Sequence, residues 1–177
     1  LRAGDVMAAF AFYPRCATAL VEREQSGRTR RACPKEGCGF VHWGNPLPVV
    51  AAVVELPGGV VLARAPGWPD KFFGLITGFL EAGESAEAGC LREVKEELAL
   101  DGRVEALLGV YDFALRNELI VAFHVVAHGE VRLSEELEAF KVVPVEKLRP
   151  WPVATGLAVR DFLQRRGLPP DGPPRAG

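Results

Sequence analysis

What the 177-residue chain lacks narrows the field first. No apolar run is long enough to cross a bilayer. Pro48–Val54 and Leu119–Ala127 are the longest strongly apolar stretches, and a spanning helix needs about 20 residues. A membrane role is therefore not expected. The formal net charge is only -2, so no global positive field attracts nucleic acid, and none is expected as a partner. The N-terminus has no charged start, apolar centre and small-residue cleavage site, which points away from secretion and toward the cytoplasm. No internal repeat is visible. Cysteine is sparse: four residues, read in that compartment as thiols or metal ligands before disulfides.

What is present is an ordinary folded composition, 49% hydrophobic and 25% charged, of a length that suits one domain plus a small extra piece. The charge is unevenly placed. Residues 1–44 carry seven Lys/Arg against four Asp/Glu, and residues 81–97 carry six acidic residues against two basic ones. Residues 1–44 hold three of the four cysteines and end at the turn-forming cluster His42-Trp43-Gly44-Asn45-Pro46. The division expected is 1–44, a domain over 45–166, and a Pro/Gly-rich flexible tail over 167–177.

Within the domain, Val49–Leu56 reads as a buried strand, Pro57-Gly58-Gly59 as a turn and Val60–Arg64 as the hairpin partner. Ala65–Phe73 reads as a loop and Leu75–Phe79 as a short strand. Glu84–Leu98 is the best helix, with Ser85 as N-cap and an apolar stripe of Ala88, Leu91, Val94 and Leu98. Val104–Ala114 and Glu118–Ala127 read as strands. Ser134–Phe140 is expected as a short helix or turn, Val142–Val145 as a strand segment and Thr155–Arg165 as a final amphipathic helix. Strands mixed with two helices give an α/β class with a mixed sheet.

The chemistry concentrates on the acidic helix. At 100° per residue, Glu93, Glu96 and Glu97 share one face. Three carboxylates so close raise one another's pKa, and a hard divalent cation relieves the repulsion. Glu-rich helix faces are usually only solvated, so the helix alone does not decide. The flanking spacing does: Gly78, five residues, Glu84, seven residues, then Arg92-Glu93-Val94-Lys95-Glu96-Glu97 and Leu98-Ala99-Leu100.

This array resembles the Nudix box, departing from it only at Ala99, where the pattern has glycine. The resemblance implies an α/β/α sandwich with a mixed sheet. It also implies a Mg²⁺- or Mn²⁺-dependent hydrolase of a nucleoside diphosphate linked to another moiety. Carried over by position, Glu93, Glu96 and Glu97 are metal ligands, with base function at or near Glu93. The backbone carbonyl of Thr77 is a further ligand, and Arg92, helped by Glu84, orients the glutamates. A glutamate from a downstream loop often assists; Glu136 is the residue chosen, with Glu135 and Glu138 equally near in sequence. Without glycine at position 99, the helix runs one residue longer or leaves through a strained turn.

Cys16, Cys33 and Cys38, with His42 as a fourth ligand, resemble a zinc ribbon of the kind that precedes the core in the NADH pyrophosphatase-like branch of this family. The ribbon is degraded: Tyr13 stands where a cysteine is expected, and the second knuckle is stretched to Cys33-x4-Cys38. A closed zinc site needs four ligands, and a ribbon that has lost its metal and is held by packing is the favoured reading. Cys90 reads as core, His124 as a hydrogen-bonded structural residue and His128 as exposed.

Tyr111-Asp112-Phe113-Ala114-Leu115-Arg116-Asn117 lacks the Ser-Gln-Pro-Trp-rich marker of that branch, so the substrate stays open. ADP-ribose and dinucleotides such as NAD(H) or FAD are the expected class. Trp68, Phe72, Phe73, Phe113 and Arg116 are candidates for base stacking and phosphate contact, with packing as the competing role. A small-molecule nucleotide derivative is the expected partner, and a homodimer the expected assembly. Two other readings stand beside this one: a non-catalytic metabolite-binding protein, and a nucleic-acid-binding ribbon supported only by the basic N-terminal piece.

Overall fold

The computed structural model describes residues 10–171, so the last six residues of the expected tail lie outside the described ones. The chain divides into two compact units, Leu1–Pro46 with Leu115–Asn117, and Leu47–Ala114 with Glu118–Gly177.

The first unit is built on a three-stranded antiparallel sheet, β1 (Val21–Gln25), β2 (Arg28–Ala32) and β3 (Val41–His42). The β1–β2 link is the two-residue turn Ser26-Gly27, with φ of 53° and 73°. Positive φ at both positions is the hairpin turn whose twist matches the strands. Sequence reading gave no strands here because they are mostly polar, and every residue of β1 is exposed. The small core holds Leu20, Ala32 and Cys33, and Tyr13 stacks on Phe40 at 4.0 Å and 15°.

The second unit is a mixed sheet between two helices. β4 (Leu47–Leu56) is its central strand. One edge of β4 pairs in parallel with β8 (Glu118–His128). The other pairs antiparallel with β6 (Ile76–Phe79) through Val49–Ala52, then with β5 (Gly59–Arg64) through Val54–Leu56. β7 (Asp101–Phe113) and β9 (Ala139–Val143) are the outer strands.

β4 is apolar from Val49 to Val54 because both of its faces are covered. Val49, Ala51 and Val53 share a cluster with Val159, Phe162 and Leu163 of α2 (Thr155–Arg165). Val50, Ala52 and Val54 share the opposite cluster with Cys90, Val94 and Leu98 of α1 (Ala86–Leu98). Each fully buried aliphatic side chain contributes about 1.5–3 kcal/mol. A one-residue slip of β4 would exchange its two faces, so both helices fix its register.

The face of α1 differs from the one the periodicity predicts. Ala88 is exposed and Leu91 half-buried, while Cys90, Val94 and Leu98 form the buried line. This rotation carries Glu97 down against the sheet, leaving it 8% exposed. Ser85 caps the helix start, its Oγ accepting from the Ala88 N–H at 3.1 Å. The exit is the strained one: Ala99 adopts φ 58° and ψ 18°, and its N–H donates to the Lys95 carbonyl. Alanine thus fills a left-handed capping position that favours glycine.

The segment expected as a short helix or turn is a turn at Ser134–Leu137, and β9 already begins at Ala139. Backbone N–H groups of Arg132 and Ser134 donate to the carbonyls of Leu98 and Glu97. They satisfy acceptors that a helix end otherwise leaves free, and so hold this loop against the end of α1. The C-terminal segment does not loosen at Gly167. The N–H groups of Gly167 and Leu168 donate to the carbonyls of Gln164 and Leu163, Gly167 has φ 68°, and Leu168 packs on the α2-side core. That is a Schellman cap closed by its apolar contact.

Candidate active site

The site begins at Gly78 in β6. A Cβ added there would lie 1.9 Å from Cδ and Oε1 of Glu93. Only glycine at this position lets the Glu93 carboxylate lie against the β6 backbone. Thr77 is the preceding residue of that strand, opposite Ala51. Gly89 has a similar role with a different occupant. Its missing side chain leaves room for Glu84, whose Oε1 would sit 2.7 Å from the added Cβ. The space at Gly89 is therefore taken by protein.

Arg92 is the hub. Its Nε and Nη2 donate to Glu84 Oε2 and Oε1 at 3.1 and 2.8 Å. Nη1 donates to Glu93 Oε1 at 2.8 Å and Glu96 Oε2 at 2.9 Å, and Nη2 donates also to the Phe79 carbonyl at 3.1 Å. A guanidinium has five N–H donors, and all five are engaged. Arg92 thus has no donor left over. It holds the Glu84 carboxyl below its usual range, and the carboxylates hold Arg92 more firmly protonated than usual. Arg92 is the cation that stands among these glutamates. Lys95 itself turns away to Asp101 at 2.7 Å.

The three glutamates are not equivalent. Glu96 is the most exposed, with its side chain 58% accessible against 13% for Glu93. Burial raises Glu93 above the usual carboxylate range, opposed by Arg92 and aided by Glu96 and Glu136. Glu97 is pushed up to about 8, by burial first and then by the negative charges of Glu93, Glu136 and Glu96. Burial therefore outranks the mutual repulsion that the sequence suggested. Glu97 has no ion-pair partner among the described residues, and a buried unpaired carboxylate is costly. Of the three downstream glutamates, Glu136 is the one whose charge acts on Glu93 and Glu97. Glu138 is committed to Arg64 at 2.7 Å. Carboxylate oxygens beside the bare Gly78 backbone are the donor type that a hard divalent cation takes.

The residues singled out for substrate contact fall in different places. Phe72 is 42% exposed and Trp68 38% exposed, their rings edge to face at 5.0 Å. Trp151, which sequence reading missed, completes this cluster 6.3 Å from Phe72. It lies in the irregular stretch before α2, where no periodicity marks it. Phe73 and Phe113 pack on the α2-side core, with the Lys141 ammonium 4.3 Å from the centre of the Phe73 ring. Arg116 belongs to the other compact unit.

Cys16, Cys33 and Cys38 do come together, with all three sulfur atoms within 4.8 Å of one another. His42 does not join them as fourth ligand; its ring meets Phe10 edge-on at 5.1 Å. The fourth ligand that the zinc alternative required is not among the gathered groups, which leaves three thiols, one short of a closed zinc site. A hydrogen bond with Thr18 lowers Cys16 to about 7, and burial raises Cys33. Cys90 is core, with its thiol pushed up to about 12 by burial. His124 is buried against Glu55 at 2.7 Å, and Arg166 binds the same carboxylate.

Comparison with known proteins agrees with this geometry. The NUDIX domain family model matches residues 45–163. The NAD-capped RNA hydrolase NudC of Mycobacterium tuberculosis is 36% identical over 86 residues, 49% of this chain and 28% of that protein. NudC of Pseudomonas putida is 29% identical over 133 residues, 74% of this chain and 48% of that protein. The chain thus spans about half or less of the length of the curated relatives it matches. A crystal structure of a NUDIX hydrolase from Nitrosomonas europaea superposes with a TM-score of 0.74 at 22% identity, covering 90% of this chain and 95% of that one, which is a likeness of fold. No helix among the described residues is long and apolar enough to cross a membrane. With the box residues assembled on β6 and α1 and the family model spanning the whole second unit's core, the chain belongs to the Nudix family.

Proposed function

We propose that the protein hydrolyses the diphosphate bond of a nucleoside diphosphate derivative in a Mg²⁺- or Mn²⁺-dependent reaction, on ADP-ribose or a dinucleotide such as NAD(H) or FAD. One observation carries this reading: the Glu93 carboxylate lies on the bare Gly78 backbone, joined by Glu96, Glu97 and the charge of Glu136. Glu93, Glu96, Glu97 and the Thr77 carbonyl would hold the cation. When bound there, the cation neutralises phosphate charge and lowers the pKa of a water.

The protein's own groups divide the remaining work. Arg92 and Glu84 fix the carboxylate orientations through the five-donor hub. Glu93, half-buried and raised, is suited to accept a proton at a carboxylate oxygen. Glu136 adds a carboxylate from the loop anchored to the end of α1. Phe72, Trp68 and Trp151 offer an aromatic surface on which a base can stack. The relatives named as NAD-capped RNA hydrolases support a dinucleotide-like substrate. The alternative of a non-catalytic metabolite-binding protein has the complete glutamate set against it.

The test is a hydrolysis screen over ADP-ribose, NADH and FAD with and without Mg²⁺. Cation-dependent release of AMP from at least one is expected. Binding of these compounds without turnover, at any Mg²⁺ concentration, would favour the non-catalytic alternative. The thiol cluster takes no catalytic part in this reading. The Tyr13–Phe40 stack supports a ribbon held by packing, and zinc analysis of protein from zinc-replete medium should find well under one ion per chain.

A further inference from the structure

A chain with net charge -2 gives no global reason to bind nucleic acid. The register of the small sheet reveals what that number conceals. Directly paired residues share a face, and faces alternate along each strand. The pairs Arg23↔Arg30 and Gln25↔Arg28 therefore lie on one face, and Glu22↔Arg31 and Glu24↔Thr29 on the other. All the acidic residues of these strands are on the second face. The first carries three arginines and no carboxylate.

Arg23 and Arg30 are like charges on one rung, an arrangement that is unfavourable by itself. Neither they nor Arg28 has a carboxylate partner among the described residues. Arg30 donates through Nη1 to the Trp43 carbonyl at 2.6 Å, and its guanidinium lies 4.7 Å from the centre of the Trp43 ring. Its Nε has no hydrogen-bond partner. Trp43 is 46% exposed, so a large apolar ring stays open beside unneutralised cations.

We propose that this face of the β1–β2 ribbon binds a single strand of nucleic acid. Phosphates would be held by Arg23, Arg28 and Arg30, with an unpaired base on Trp43. Phosphate oxygens supply the missing counter-charge, and arginine binds them in paired hydrogen bonds that lysine does not match. An aromatic ring beside guanidinium groups is the usual platform for a splayed-out base. A single strand is favoured because stacking on Trp43 requires a base free of its duplex partner. This proposal rests on the ribbon alone and is independent of the diphosphate chemistry.

The experiment uses the 177-residue chain and a fluorescein-labelled 12-nucleotide oligouridylate, read by anisotropy, with the DNA oligomer and an RNA duplex of the same length alongside. Three phosphate contacts predict a log–log salt slope of about -2, or roughly 20-fold weaker binding at 200 mM than at 50 mM salt. The Arg23→Gln/Arg30→Gln double variant should reduce that slope by about 1.4 and weaken binding at least tenfold at 50 mM salt. Trp43→Ala should cost about tenfold with the slope unchanged. Glu22→Gln/Glu24→Gln, on the opposite face, should lose nothing. Arg23→Lys/Arg30→Lys, which preserves charge and controls for folding, should retain the slope while weakening binding. Hydrolysis of a free dinucleotide should be unaltered in every variant, which separates this test from that of the proposed activity. A salt slope near zero, tight binding that survives the double glutamine variant, preference for the duplex, or binding to phosphatidylserine vesicles in place of the oligomer would overturn the proposal.

Discussion

Gly78 and Glu93 are complementary: the side chain that position 78 lacks is the space in which the Glu93 carboxylate lies, 1.9 Å from where a Cβ would be. The β6 backbone and the α1 carboxylates are thus a single piece of structure. Each of the residues in it has a role that substitution can expose.

Gly78→Ala forces Glu93 to move, because the added Cβ takes the space that its carboxylate occupies. Hydrolysis should fall at least a hundredfold, about 3 kcal/mol of transition-state stabilisation. Position 78 has no positive φ that demands glycine, so the fold should survive. Initial rates and a circular dichroism melt on the same sample check this pair of outcomes.

Arg92 uses all five donors, so a lysine cannot replace it. Arg92→Lys should leave KM within a few-fold and lower kcat at least tenfold, since the loss is of carboxylate orientation and not of substrate contact. Arg92→Ala should in addition lower Tm, because it strands the Glu84 and Glu93 carboxylates. Restoration of wild-type kcat by lysine would contradict the hub.

Glu97 sets a pH dependence with a definite sign. Its folded-state pKa is raised, to about 8 from the usual 4.5. The folded state therefore binds the extra proton between those values, and the metal-free protein loses stability as pH rises from about 4.5 to 8. Mg²⁺, bound only by the folded state, offsets the loss where the carboxylate is ionised. Millimolar Mg²⁺ should raise Tm near pH 8 and much less near pH 5. Glu97→Gln should flatten the metal-free profile and remove most of the shift. Equal shifts at both pH values would place the cation elsewhere.

The outline of the fold could be read from residue pattern: the apolar run of β4, the Ser85 cap and the amphipathic Thr155–Arg165 helix all stand where the periodicity predicts. The resemblance to the Nudix box implied that Glu84 helps Arg92, and the two side chains are joined by two hydrogen bonds. Three things were illegible. The roll of α1 that buries Glu97 depends on which of two adjacent apolar lines meets the sheet, and Cys90 competes with Leu91 for that role. The ribbon strands have no hydrophobic alternation, so their register, and with it the arginine face, exists only once they pair. Trp151 lies in a connection whose course is set by packing, where a Cβ added at Gly156 would lie 1.9 Å from the Trp151 carbonyl oxygen.

Ala99 occupies a left-handed cap at φ 58°. Relief of a cost of roughly 1–2 kcal/mol outweighs the added chain entropy of glycine, roughly 0.5–1 kcal/mol. Ala99→Gly should therefore stabilise the protein and raise Tm by about 2 °C, with no change in kcat. A lower Tm would show that the strain is already absorbed by the surrounding turn.

The central claim is that the carboxylates of α1 serve diphosphate hydrolysis by holding a divalent cation. The most direct measurement is the initial rate of AMP release from ADP-ribose and NADH across a Mg²⁺ titration, for the wild type and for Glu96→Gln and Glu97→Gln. The account predicts cation-dependent turnover in the wild type and a loss of several orders of magnitude in each variant, with both variants folded. Wild-type-like rates in both, or turnover indifferent to the cation, would contradict it.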